Sequence, residues 1–355
     1  MTDTPYLAVD LARLDRNLQA VAELARNAHV DLRPHAKTHK TAELARRQID
    51  SGAVGLTVAT IGEAEAFAAA GFGDLFIAYP LWVTAHKGAR LRALADRVSL
   101  RLAVDSVEGA VRLAAELSGA EVLVEVDSGQ HRTGVAPESA GEVAVAAQSA
   151  GLKVVGVFTF PGHGYGPGHA RRDAAAQEIA ALSSAAEQLR DRGIEPRVRS
   201  GGSTPTIEFA DSGVLTEIRP GVYPFYDAQQ VELGVCGFDD VALTAVSTVV
   251  RRDGRRVVLD AGSKIIGADR PAWASGHGRI LDEPAARIVA LSEHHAVVEY
   301  PDEYVPSLGS TVRVVPNHVC TAVNLVDELV VGGGAGEGGE GEVATWRVVA
   351  RGANS

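Results

Sequence analysis

Arg33-Pro34-His35-Ala36-Lys37-Thr38-His39-Lys40 crowds arginine, histidine and lysine side chains into eight residues. The chain has only five lysines, Lys37, Lys40, Lys87, Lys153 and Lys264, and arginine supplies nearly all the other positive charge. A lysine retained in so arginine-rich a chain points to chemistry that arginine cannot do. An amine can lose its proton and condense with an aldehyde, whereas a guanidinium stays charged. Taken alone, the stretch also reads as a basic surface loop, so its meaning depends on what surrounds it.

Outward from this stretch, the chain alternates. Val30 to Pro34 reads as a strand, with His35 to Lys40 just past its C-terminal end. Further Val/Ile/Leu-rich strands are predicted at 54–59, 74–79, 98–104, 121–126, 154–160, 197–200 and 217–219. Ala-rich amphipathic stretches lie between most of them. Thr60-Ile61-Gly62-Glu63 has the spacing of a capping box, and Gly71, Gly151 and Gly193 stand where helices should stop. Eight parallel strands alternating with helices over residues 11–237 predict a closed (β/α)8 barrel of the TIM type, with an open doubly wound sheet as the alternative.

Beyond residue 238 the pattern changes to short Val-rich strands, at 241–250, 256–260, 287–292, 296–299, 311–315 and 344–350. These predict a mainly-β domain over 238–355, joined by the N-terminal strand 5–10. The Gly-rich run 332–341 reads as a loop between the last two strands.

Composition narrows the function. A net charge of −11 argues against a nucleic-acid partner, and no apolar run is long enough to span a bilayer. The polar start Met1 to Pro5 does not read as a signal peptide, and two cysteines, Cys236 and Cys320, suit a reduced cytoplasmic protein.

In a (β/α)8 barrel the site is expected at the C-terminal ends of the strands, with phosphate near the last two. Ser200-Gly201-Gly202-Ser203-Thr204-Pro205-Thr206 follows the seventh strand and Arg219-Pro220-Gly221-Val222-Tyr223 the eighth. The first is a Gly-rich loop with hydroxyls, and the second has a glycine that permits close backbone approach. A lysine after the first strand and an anion cradle after the last two suit pyridoxal 5'-phosphate.

With these motifs, Val126-Asp-Ser-Gly-Gln-His-Arg-Thr-Gly134 and Pro316-Asn-His-Val-Cys320, the chain resembles the fold-type III pyridoxal-phosphate enzymes. Within that alanine racemase-like group it resembles the D-threonine aldolase and D-serine dehydratase family, over nearly its whole length. The resemblance implies that Lys37 carries the cofactor as a Schiff base and that Lys40 does not. It implies Arg132 near the phenolic oxygen and Arg219 facing the pyridine nitrogen. Ser203, Thr204, Gly221, Val222 and Tyr223 would hold the phosphate. A permanently charged arginine at the pyridine nitrogen weakens the ring as an electron sink, so a second electrophile is useful.

His318 and Cys320 are the candidate ligands for it. Read as a strand, residues i and i+2 share a face, and N and S donors suit zinc; the family makes manganese the alternative. The β-domain would then have to fold over the mouth of the barrel or over that of a partner subunit, and the family implies a homodimer. His163, with Tyr165 as a lesser candidate, is the expected base in Phe160-Pro-Gly-His-Gly-Tyr165.

Two reactions fit the resemblance. A retro-aldol cleavage would give glycine and an aldehyde from D-threonine. A dehydration would give pyruvate and ammonia from D-serine, and the related loss of water from a D-threo-3-hydroxyaspartate belongs to the same branch. Asp260-Ala-Gly-Ser-Lys264 looks like the aldolase branch, and Cys320 like the dehydratase branch. The expectation is the aldolase. A non-enzymatic cofactor carrier would share barrel and lysine, but the added β-domain argues against it.

Overall fold

The computed structural model describes residues 3–211, 213–302, 305–332 and 344–355. Residues 333–341 of the expected Gly-rich loop lie outside the described residues. The chain divides into two compact units: Val21–Lys37 with Ala45–Gly221 and Gly352–Ser355, and Met1–Ala20 with Thr38–Leu44 and Val222–Arg351.

The strand β1 (Tyr6–Asp10) leads into the helix α1 (Leu11–Asn27). The larger unit then carries β2 (Asp31–Leu32), β3 (Leu56–Val58), β4 (Asp74–Pro80), β5 (Ser99–Val104), β6 (Glu121–Glu125), β7 (Lys153–Phe158), β8 (Val198–Gly201) and β9 (Glu217–Ile218). All pair in parallel, in the order β2-β9-β8-β7-β6-β5-β4-β3. The backbone bridge between His35 and Thr57 joins the two ends, supported by Thr57 N–H donating to Pro34 O at 2.8 Å. The sheet is therefore a closed eight-stranded parallel barrel, as expected, and the 33–40 stretch begins at its seam.

The intervening helices α2 (Ala42–Asp50), α3 (Ile61–Ala69), α4 (Ala85–Ala95), α5 (Val107–Glu116), α6 (Ala140–Ser149) and α7 (Ala170–Arg190) follow the predicted alternation. Thr60 Oγ1 caps α3 by accepting from Glu63 N–H at 3.0 Å, and Glu63 Oε2 reaches back to Ala59 N–H at 2.7 Å. Phe76, Ala103, Leu123, Val155 and Phe158, one from each of β4 to β7 and a second from β7, form a buried layer inside the barrel. The Phe76 and Phe158 rings meet edge to face at 5.1 Å. Gly156 admits the neighbouring backbone, since a Cβ there would stand 1.8 Å from Val198 O.

The smaller unit has a nine-stranded sheet: β1 with β10 (Leu243–Asp253), β11 (Arg256–Leu259), β12 (Gly278–Ile280), β13 (Glu283–Leu291), β14 (Ala296–Glu299), β15 (Thr311–Pro316), β16 (Glu328–Gly332) and β17 (Ala344–Arg347). Six strands, β10-β11-β14-β13-β12-β15, close back on β10 as an antiparallel barrel. β1 pairs antiparallel with β10 and parallel with β16. The sequence reading missed β12 and β16. The first is three residues opening on Gly278, too short for alternation to register. The second abuts the Gly-rich run and lost its C-terminal boundary there.

Candidate active site

Arg33, just past β2, is buried and bridges two acids. Its Nε donates to Glu217 Oε2 at 2.6 Å and its Nη1 to Asp74 Oδ1 at 2.6 Å. Glu217 also accepts from Ser200 Oγ at 2.6 Å and from Arg101 Nη1 at 3.4 Å. Burial alone would raise this carboxyl, but Arg33 and Arg101 outweigh it and hold it below its ordinary value. The arginine of the 33–40 stretch is thus structural: it anchors the backbone that carries His35 and Lys37.

Lys37 sits in a tight helical turn, Ala36–Thr38, with its N–H directed at His35 Nδ1 at 3.4 Å. Its side chain faces a cavity of about 300 Å³ lined by His35, Lys37, Ala59, Ala78, Tyr79, Arg132, Thr133, Phe160 and Arg219. Every one of these follows or ends a barrel strand on the C-terminal side, where a TIM-type barrel places its site. Lys37 Nζ stands 5.6 Å from the centre of the Phe160 ring, and Arg132 stacks on the same ring at 5.5 Å. Lys40 is directed elsewhere. It is buried, with φ +51, and its Nζ donates to Asn324 Oδ1 at 2.8 Å.

Arg219 lies on the barrel core layer, 5.2 Å from the Phe158 ring and 5.8 Å from that of Phe76. It donates to Ser200 Oγ and to Thr159 O. Burial pulls its pKa below the ordinary value, against the opposing effect of Glu217, Glu178 and Glu125. Glu125, at the end of β6, is pushed up to about 7 by burial. Thr133 Oγ1 donates to one of its oxygens at 3.0 Å, and the other is buried without a partner. Glu178 of α7, fully buried, is likewise raised to about 7 by burial. The sequence reading missed both acids. The only signal was an acid within or beside an otherwise apolar core face.

The Ser200–Thr206 loop is more self-satisfied than its composition suggested. Gly202 N–H donates to Glu178 Oε1 at 2.7 Å and Ser203 N–H to Thr206 Oγ1 at 2.9 Å. Ser203 and Thr204 are both buried. Gly202 has φ +76, a conformation that favours glycine. In the other unit, Val222 and Tyr223 are buried, and Val222 O accepts from Tyr226 N–H at 2.9 Å. Gly221 is half-buried, directly after Arg219-Pro220.

His163 lies in a single helical turn, Gly162–Gly164, after β7. It does not line the 300 Å³ cavity; Phe160, three residues before it, does. Its Nε2 meets Gln177 Oε1 at 2.7 Å, and its Nδ1 is buried without a partner. With Nε2 as the donor, Nδ1 keeps a free lone pair, as a base requires. Tyr165 is half-buried, its ring 6.2 Å from that of Phe160.

His318 and Cys320 are brought together, but not along a strand. β15 ends at Pro316; His318 is the N-cap of a short helix, Val319–Val323, and Cys320 lies within its first turn. The strand geometry expected from i and i+2 is corrected accordingly, and it is the helix start that turns the thiol back toward the imidazole. Burial would lower His318, but Cys320, by charge and hydrogen bond, and Asp269 raise it to about 11. Cys320 Sγ–H also donates to Thr38 Oγ1 at 3.2 Å. No group of three or more metal-binding side chains gathers among the described residues. The pair nonetheless fits a divalent cation with open positions: one imidazole and one thiol within hydrogen-bonding reach of each other.

A model of the alanine racemase N-terminal domain matches residues 9–229, and one of a serine dehydratase domain matches 242–332. The chain belongs to the D-threonine aldolase and D-threo-3-hydroxyaspartate dehydratase family of fold-type III pyridoxal-phosphate enzymes. It is 35% identical to D-threonine aldolase of Arthrobacter sp., over 93% of this chain and 89% of that protein. It is 34% identical to D-threo-3-hydroxyaspartate dehydratase of Delftia sp. strain HT23, over 90% of this chain and 91% of that protein. The crystal structure of D-threonine aldolase from Filomicrobium marinum superposes with a TM-score of 0.89 at 32% identity, covering 99% of this chain and 96% of that one. These family members are lyases. Membership implies pyridoxal phosphate, and one amine and two guanidiniums around a cavity of this size fit an aromatic aldehyde with anionic substituents. No helix among the described residues is long and apolar enough to cross a membrane.

Proposed function

We propose that the protein is a pyridoxal-phosphate- and divalent-metal-dependent lyase that cleaves β-hydroxy-D-amino acids between Cα and Cβ, as the aldolases of its family do. Lys37 is the residue that bonds the cofactor. Arg132 and Arg219, which line the same cavity, would hold its ring substituents, and the Thr204 and Gly221 backbones would hold its phosphate. When bound, pyridoxal phosphate supplies an aldehyde for the lysine and a conjugated ring that accepts an electron pair from a bond broken at Cα. His318 and Cys320 would hold zinc or manganese, which supplies Lewis acidity. A relative, the D-threo-3-hydroxyaspartate dehydratase, has a cysteine-to-alanine mutant described in a metal-free form. A homodimer and a cytoplasmic location belong to the same reading.

One observation carries the aldolase reading: the unpartnered, buried Nδ1 of His163, held as a lone pair by the Nε2 contact to Gln177. A retro-aldol step needs a base for the substrate hydroxyl that is separate from Lys37, and this nitrogen, outside the cavity lining but three residues past its Phe160, would supply one once the ring turns toward the cavity. His163 would take the hydroxyl proton, and Tyr165 flanks it. Arg219, buried in the cavity wall, would disfavour protonation of the pyridine nitrogen.

The second reading is the dehydratase, favoured by sulfur at position 320. There Lys37 removes the α-proton and the β-hydroxyl leaves. D-Threonine separates the two when supplied with cofactor and Mn²⁺ or Zn²⁺. Glycine with acetaldehyde is the expected outcome. Ammonia with 2-oxobutanoate would replace it with the dehydratase, and neither product, with cofactor bound, would favour a carrier.

A further inference from the structure

The carboxylate of Asp269 sits against the outer nitrogen of the candidate metal ligand. His318 Nδ1 lies 2.6 Å from Asp269 Oδ2. The same oxygen accepts from Thr321 Oγ1 at 2.8 Å, so it is fixed from a second direction. The backbone under it is fixed as well. Asn317, 2% exposed, donates its Nδ2 to Asp269 O at 3.1 Å and to Gly276 O at 2.9 Å. Four consecutive positions thus converge on one arrangement. Asn317 holds the backbone of Asp269, Asp269 holds the ring of His318, Val319 N–H donates to the buried Asp227 Oδ2 at 3.1 Å, and Cys320 turns its thiol to His318.

The chemistry of imidazole gives this arrangement a direction. A neutral ring has one N–H and one lone pair, and only the lone pair binds a cation. A carboxylate at Nδ1 can only accept, so it draws the proton to Nδ1 and leaves Nε2 as the binding atom. It also makes that nitrogen more basic. Asp269 lies nine residues after Asp260, outside every motif that the sequence singled out, because its partner is 49 residues away in the chain.

We propose that Asp269 is a positioning residue for the cation site: it locks His318 in the Nδ1–H form and presents Nε2, beside Cys320, to a divalent metal. This rests on the reading of His318 and Cys320 as metal ligands. It concerns an acid outside the proposed ligand pair.

The test is calorimetric titration of Zn²⁺ and Mn²⁺ into full-length protein loaded with pyridoxal phosphate, comparing wild type with Asp269→Ala, Asp269→Glu and Thr321→Val. Asp269→Ala should weaken metal binding about 10- to 100-fold. Its visible cofactor absorbance and its melting temperature without metal should match wild type. Asp269→Glu should restore part of the affinity, and Thr321→Val should lose less than the alanine variant. Wild-type affinity in Asp269→Ala would overturn the proposal while leaving the metal site intact. Equal losses in the alanine and glutamate variants, with lowered metal-free melting temperatures, would reduce Asp269 to a structural role and also overturn it. Wild-type protein that binds cofactor but no metal would overturn the ligand reading itself.

Discussion

Lys37 and Lys40, three residues apart, are separated by their partners. Lys40 is buried with its Nζ on Asn324 Oδ1 at 2.8 Å, while Lys37 faces the cavity shared with Arg132 and Arg219. Lys37→Ala should abolish the visible absorbance of bound cofactor. Lys40→Ala should keep that absorbance but lose stability by about 1.5–3 kcal/mol, the worth of a buried charge-assisted hydrogen bond. Absorbance spectra and thermal melts of the two variants check this, and the reverse pattern would move the cofactor to Lys40.

Glu217 ties Arg33, Arg101 and Ser200 together, and Ser200 in turn accepts from Arg219. Removing one side of a buried ion pair leaves the other uncompensated. Glu217→Ala should destabilise the protein by roughly 3 kcal/mol or more. It should also weaken cofactor binding, because Arg219 loses its support through Ser200. Urea unfolding of the apo-protein and a cofactor titration measure the two effects separately.

The barrel was legible because it writes itself locally. Most of its strands lie in apolar runs, most of its helices end near a glycine, and Gly71, Gly151 and Gly193 all adopt positive φ at such ends. Lys37, Arg132 and Arg219 were legible because they sit in motifs just past strands. What stayed hidden depends on distant partners. Glu125 and Glu178 become interesting only once burial pushes them up to about 7, and Gln177 only once α7 lays it against His163, fourteen residues earlier. The His318–Cys320 geometry was misread because an apolar Val-rich strand runs to Pro316 and nothing in Val319–Val323 announces a helix.

His163 and Gln177 make a second pair whose roles differ. His163→Ala should lower turnover of D-threonine by about 10²- to 10⁴-fold, the range for losing a general base, with cofactor absorbance unchanged. Gln177→Ala releases Nε2 and should lower turnover less than His163→Ala does. Steady-state kinetics across pH, with product identification, checks both. Full activity in His163→Ala would return the base role to Lys37 and with it the dehydratase reading.

Glu125 links the site to pH-dependent stability. Its carboxyl is 3% exposed and pushed up to about 7 by burial, with Thr133, Arg132 and Arg219 opposing the rise and Asp105 adding to it. The raised value means that the folded protein holds a proton that the unfolded chain, at its ordinary carboxyl value, releases. Between the ordinary value and about 7 the folded state therefore loses stability as pH rises, and above about 7 the full penalty of a buried charge is present. A shift of this size corresponds to something on the order of 3 kcal/mol. Glu125→Gln removes the titration while preserving shape, and its amide has both a donor and an acceptor for the atoms around it. The apo-variant should therefore melt above wild type at pH 8 and close to it near pH 5. Thermal melts of both apo-proteins at the two pH values decide the matter. An equal difference at both would mean that Glu125 stays ionised in the fold, held by Arg132 and Arg219.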